Sequence, residues 1–206
     1  MNKTTGFWYT LFDMPAVYNS VRGVLLLGKG KMFSQTQAGV ALEEGETLLD
    51  VGSGPGELSQ LFPGSYAGVD YSENYVSYAQ KKYPGKIFFQ GNVLQLSLPE
   101  KSYDVVLLAS FIHHFSDTEV DQILQNLSLV ARKQIVLLEP CPWKGNILAW
   151  FLLKMDRGAH IRSFEEQKKI VEKYFTLESA ETFYSGAYKL SLLVGKPKSE
   201  EYKSFH

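Results

Sequence analysis

The chain has 206 residues with a formal net charge of −1, a length that suits one compact domain with a sizeable core and a balance without the global basic field of a dedicated nucleic-acid binder. Cys141 is the single cysteine, which excludes an internal disulfide framework and a thiol-built metal site; no metal is expected, and a reducing, cytoplasmic location is. The N-terminus carries Lys3 but no sustained apolar core followed by a cleavage site, and no run reaches the roughly 18 apolar residues of a membrane span.

Residues 6–33 are aromatic and apolar with basic punctuation, so residues 1–40 are expected to form a helical cap on a single domain covering 1–206. TLLDVG (47–52) reads as the first strand, ELSQLF (57–62) as a short helix stopped by Pro63-Gly64, and YAGVD (66–70) as the second strand. Ser72 offers an N-cap for a helix through Lys82 that ends at Pro84-Gly85. KIFFQ (86–90) is a third strand, and YDVVLLAS (103–110) a fourth, whose unbroken apolar character suits a parallel strand buried on both faces. Ser116 or Asp117 caps a helix to about Arg132, with Val120, Ile123, Leu124, Leu127 and Val130 on one face. QIVLLEP (134–140) is the fifth strand, and residues 141–162 insert an apolar helix before a capping-box helix over 163–175. Two further strands flank Ser185-Gly186 as an antiparallel hairpin. The alternation predicts an α/β fold, a doubly wound, mostly parallel sheet with helices on both faces.

The chemistry gathers where the first strand ends. Asp50 runs into Gly52-Ser53-Gly54-Pro55-Gly56, a side-chain-poor turn that lets backbone N–H groups approach a ligand, and Asp70 ends the neighbouring strand where a ribose could lie. A dinucleotide site uses GxGxxG with a helix N-terminus facing a pyrophosphate; here the motif is one residue shorter, and the charge of Glu57 would repel that group. A nucleoside cofactor without phosphates fits better. An ordinary tight turn in an α/β protein is the plainer alternative.

LLDVGSGPG (48–56) followed by GVDYS (68–72) resembles the class I S-adenosylmethionine-dependent methyltransferases, as do GNVLQLSLPEKSYDVVLLASFIHHF (91–115) and IVLLEP (135–140). The likeness covers residues 46–140, and the C-terminal hairpin by topology. It implies a seven-stranded Rossmann-like sheet and S-adenosyl-L-methionine as cofactor. Gly52, Ser53, Gly54 and Gly56 would pass under its methionine portion, with Asp50 ordering that loop or meeting the amino group. Asp70 would accept from the ribose hydroxyls, Tyr71 or Ser72 would border the adenine, and Asn92 with the Val93 backbone would read its edge. Many members have Asp where this chain has Asn92, whose amide oxygen still accepts but without charge assistance. Ala109 and Ser110 would contact the methionine end through their backbone.

The groups for proton transfer and acceptor binding are open to two readings each. His113 and His114 follow the fourth strand, where an imidazole could take a proton, or where one packs as a helix-start or core histidine. Glu139 is a base, a site for a substrate cation, or a cap on the Pro140-Cys141-Pro142 turn. Arg157, His160 and Arg162 follow the inserted helix and would meet the polar end of an apolar, lipid-like acceptor, unless both segments simply pack on the sheet. Trp150–Leu153 beside Lys144, Lys154 and Arg157 also suit an interfacial anchor. The function expected is therefore methyl transfer to a small-molecule acceptor. A non-catalytic S-adenosylmethionine-binding or partner-binding protein is the alternative, and an NAD-dependent oxidoreductase the third choice. The acceptor and the oligomeric state are not legible in the sequence.

Overall fold

The computed structural model describes residues 29–143 and 160–198. In chain order the elements are helix α1 (Gly30–Val40), strand β1 (Thr47–Val51), a 3₁₀ turn (Glu57–Leu61), β2 (Ser65–Asp70), α2 (Glu73–Lys82), β3 (Ile87–Gln90), β4 (Tyr103–Ala109), a second 3₁₀ turn (Ile112–His114), α3 (Asp117–Val130), β5 (Ala131–Cys141), α4 (Phe164–Val171), β6 (Phe175–Ser185) and β7 (Tyr188–Pro197).

The strands form one seven-stranded sheet in the order β3-β2-β1-β4-β5-β7-β6. Pairing is parallel from β3 through β5, and β7 runs antiparallel to both β5 and β6. Strand order therefore reverses between β1 and β4, the position at which loops of open α/β sheets diverge to leave a crevice at the carboxyl edge. The central strands are apolar on both sides because both sides are covered. Leu48, Val105, Leu107, Val136 and Leu138 pack with residues of α1 and α2, whereas Leu49, Val51, Val106, Leu108, Ile135 and Leu137 pack with residues of α3 and α4. Each such side chain contributes about 1.5–3 kcal/mol on burial. The apolar stripe of α3, Val120, Ile123, Leu124, Leu127 and Val130, faces the sheet as its periodicity predicts.

Two boundaries differ from expectation. Helix α3 stops at Val130 rather than near Arg132, and β5 begins at Ala131 without a loop. Tyr103 pairs with Ala131, Lys101 N–H donates to the Leu129 carbonyl, and the Arg132 guanidinium donates to the Lys101 carbonyl, so these tertiary partners take over from the last helical turn. Helix α4 likewise ends at Val171 rather than Phe175, because Phe175 is fully buried and opens the β6 ladder opposite Pro197. The capping boxes formed by Ser116 with Glu119 and Ser163 with Glu166 set both helix starts.

Of the expected N-terminal cap, the described part is α1, which lies over β5 and β7 with Gly39 against Leu192 and Val136. Residues 1–28 and 144–159, which include Arg157 and the interfacial stretch, lie outside the described residues.

Candidate functional site

Two loops border the crevice, residues 52–56 after β1 and residues 110–114 after β4. The first is tied to the end of β2. Gly52 and Ser53 N–H groups donate to the Val69 carbonyl at 2.8 and 3.0 Å, and the Asp70 carboxylate accepts from Gly54 N–H and Ser72 N–H, each at 2.8 Å. Gly52, Gly54 and Gly56 all have positive φ, at +74°, +54° and +78°, but their surroundings differ. A Cβ on Gly52 would lie 2.0 Å from the Phe111 ring, and one on Gly56 would lie 2.7 Å from Phe88 and 2.9 Å from the Ala79 methyl. A Cβ on Gly54 would meet nothing within 4 Å. Two of the glycines thus allow close internal packing, and the middle one opens onto free space where a ligand can approach the backbone.

Asp70 closes the glycine loop from the side, and with one bond on each oxygen it retains lone pairs for further donors. Burial pushes its pKa up, against the lowering effect of the two N–H donors. A ligand hydroxyl donating to the carboxylate stabilises the ionised form, so ligand affinity is expected to be flat at neutral pH. It should fall by up to about tenfold per pH unit once the pH drops below that raised pKa. Asp70→Asn should bind more weakly and lose this acid limb; titration calorimetry across pH checks both, and an unchanged limb in the variant would remove Asp70 from the site.

Asp50 is 1% exposed, and its Oδ2 accepts from the Tyr66 hydroxyl at 2.5 Å. Burial, and then Asp50, push the Tyr66 pKa well above its ordinary value. This contact joins the end of β1 to the start of β2. The Ser53 hydroxyl is buried and turned onto Gly68 of β2. Tyr71 is 64% exposed at the tip of β2, and Ser72 caps α2 by accepting from Tyr75 N–H. Asn92 bends the loop after β3, with its Oδ1 accepting from Leu94 N–H at 3.1 Å, and Val93 is buried beside it. Ala109 is buried at the end of β4, where Ser110 turns the chain at φ +54° and donates its N–H to the Leu138 carbonyl at 2.7 Å.

On the other side of the crevice the structure brings Glu139 and His113 together and leaves His114 at the surface. Glu139, 1% exposed, accepts from the N–H groups of Phe111 and Ile112 through Oε1, at 2.5 and 2.8 Å, while Oε2 lies 2.7 Å from His113 Nδ1. Its carboxylate caps the turn after β4; it does not cap the Pro140-Cys141-Pro142 turn. His113 is buried and His114 is exposed, with the two rings 4.1 Å apart.

The Arg162 guanidinium is buried and donates to Asp117 Oδ1 and to the carbonyls of Ile112, Phe115 and His160. His160 is exposed, and its N–H donates to the His113 carbonyl. Two further residues of this region carried no legible signal. Phe111 looks like any aromatic after a strand. Gln167 is buried on α4 and donates to the carbonyls of Pro140 and Arg162 while accepting from Ser191, which joins α4 to β5 and β7.

The glycine loop lies at the switch point of an open sheet and is closed by an acid from the next strand, the place where open α/β sheets bind ligands. Residues 49–137 match the model of a methyltransferase domain family. No curated protein matches the sequence. Among solved structures, the chain is similar to magnesium protoporphyrin IX methyltransferase from Synechocystis PCC 6803, solved with bound S-adenosylhomocysteine, at 20% identity and TM-score 0.69 over 86% of this chain and 87% of that one. It is also similar to an S-adenosylmethionine-dependent methyltransferase from Methanosarcina mazei, at 16% identity and TM-score 0.66 over 77% of this chain and 95% of that one. A third, geranyl diphosphate methyltransferase in complex with its diphosphate and sinefungin, matches at 13% identity and TM-score 0.67 over 81% of this chain and 78% of that one. At these identities the likeness is one of fold.

Proposed function

We propose that this protein binds S-adenosylmethionine in the crevice between β1 and β4 and transfers its methyl group to a small-molecule acceptor. The observation that carries the reading is the open space at Gly54 beside the Asp70 carboxylate, with a strand end and a bent loop on either side. Bound there, the cofactor supplies an already activated methyl group, so the protein's work is to hold two partners in line and keep water out. Gly54 gives backbone access, and Asp70 accepts from a vicinal diol. Tyr71 offers an exposed ring at the adenosine end, and Asn92 with Val93 lies at the adjacent loop. Glu57 is paired with Lys29 and stands in the first turn after the loop, a poor place for a pyrophosphate.

His114 places an exposed imidazole on the post-β4 turn as the proposed proton relay, while Glu139 and His113 face each other in the interior. Arg157 and His160 remain proposals for the polar end of an acceptor. Titration calorimetry with S-adenosylhomocysteine and with NAD tests the reading. Binding of the first and none of the second is expected, and the reverse would replace methyl transfer with oxidoreduction. Incubating a metabolite extract with a labelled methyl donor then identifies the acceptor, and binding without labelled product would favour the non-catalytic alternative.

A further inference from the structure

We propose that Glu139 is a positioning residue for the cofactor crevice, acting through the turn after β4 and the Phe111 ring rather than by touching a ligand. The inference rests on the reading of the crevice as the cofactor site. Ser110 reverses the backbone at φ +54°, which turns the next two N–H groups toward β5. No carbonyl receives them; both converge on one oxygen of Glu139, and the second oxygen faces the His113 ring. Charge-assisted bonds of this kind are about twice as strong as neutral ones. The buried Arg162 guanidinium in turn donates to the carbonyls of Ile112 and Phe115. Donors and acceptors of the same short turn are thus held by two buried charges of opposite sign from distant parts of the chain.

What the turn carries is Phe111. Its ring lies over Gly52, where an alanine Cβ would approach to 2.0 Å, and Phe115 packs against it at 4.9 Å between centroids. The half-buried ring is a wall packed directly on the first glycine of the cofactor loop. Loss of the acceptor oxygens frees two N–H groups that have no other partner in the turn, and the ring is then no longer held on Gly52.

Two substitutions separate positioning from a role for the charge itself. Glu139→Leu keeps volume and removes both oxygens. Glu139→Gln keeps one oxygen for the two N–H groups and offers its NH₂ to His113 Nδ1 in the other tautomer. With 4-fluorophenylalanine at position 111, and at the fully buried position 175 as a control, fluorine NMR of the ligand-free protein reports the ring directly. Glu139→Leu should shift or broaden the 111 resonance alone and weaken S-adenosylhomocysteine binding by about tenfold or more, whereas Glu139→Gln should leave both near wild type. A Glu139→Gln protein that loses the 111 signal position or the affinity overturns the proposal, as does a folded Glu139→Leu protein that keeps both. Should Glu139→Leu not fold, Phe111→Ala decides in its place, since unchanged affinity without the ring leaves the wall without a role. Failure of wild type to bind S-adenosylhomocysteine would instead sink the proposed function, while the ligand-free resonance still reads the position of the ring.

Discussion

Gly54→Ala is expected to leave the protein folded and to weaken S-adenosylhomocysteine binding by about tenfold or more, about 1.4 kcal/mol. The left-handed backbone at φ +54° costs an alanine about 1–2 kcal/mol, which a domain with about 5–15 kcal/mol of stability absorbs. The new methyl group meets no protein atom within 4 Å and stands in the open space that the proposed function assigns to the ligand. Gly56→Ala should do the opposite. Its φ of +78° carries a similar backbone cost, and its methyl would also press on Phe88 at 2.7 Å and Ala79 at 2.9 Å. Overpacking of that kind adds about 1–3 kcal/mol. Urea unfolding and calorimetry on the two proteins should therefore separate, one losing ligand and the other losing stability. Equal stability losses with equal affinity losses would show that the open space at Gly54 is not where a ligand sits.

Arg162→Ala is expected to destabilise the protein by about 2–4 kcal/mol, because three backbone carbonyls lose a charged donor at a site that is 7% exposed. Asp117 contributes little to this cost, since its carboxylate is 84% exposed and water replaces the partner. Arg162→Lys should recover less than half of the loss, since an ammonium is a point donor and cannot span carbonyls from residues 112, 115 and 160 at once. The urea midpoint measures the effect. A variant with the wild-type midpoint and a specific defect in acceptor turnover would return Arg162 to the acceptor pocket, as its place after the inserted helix first suggested.

The two capping boxes, the apolar stripe of α3 and the unbroken runs of β4 and β5 were readable because each signal is local, carried by residues three or four apart or by a short continuous run. The same holds for the glycine loop and Asp70. A turn without side chains and an acid at the next strand end are local signals too, and the structure joins them through the bond from Gly54 N–H to the Asp70 carboxylate. Element ends were less so. Helix α3 yields to β5 at Ala131 because of bonds to Lys101 and Arg132, and α4 yields to β6 because Phe175 pairs with Pro197; neither partner lies within the helix concerned.

The direction each charged side chain faces was decided by tertiary structure alone. Glu139 and Arg162 looked like candidates for a base and an anion site, yet both are spent on the backbone of one turn, Glu139 on its N–H groups and Arg162 on its carbonyls. Both lie more than twenty residues from that turn in sequence. A buried charge takes its partners from whichever backbone groups the fold leaves unsatisfied. Residue type and spacing therefore foretell where a glycine turn meets a strand-end acid, but the partners of a buried ion exist only once distant segments have packed together.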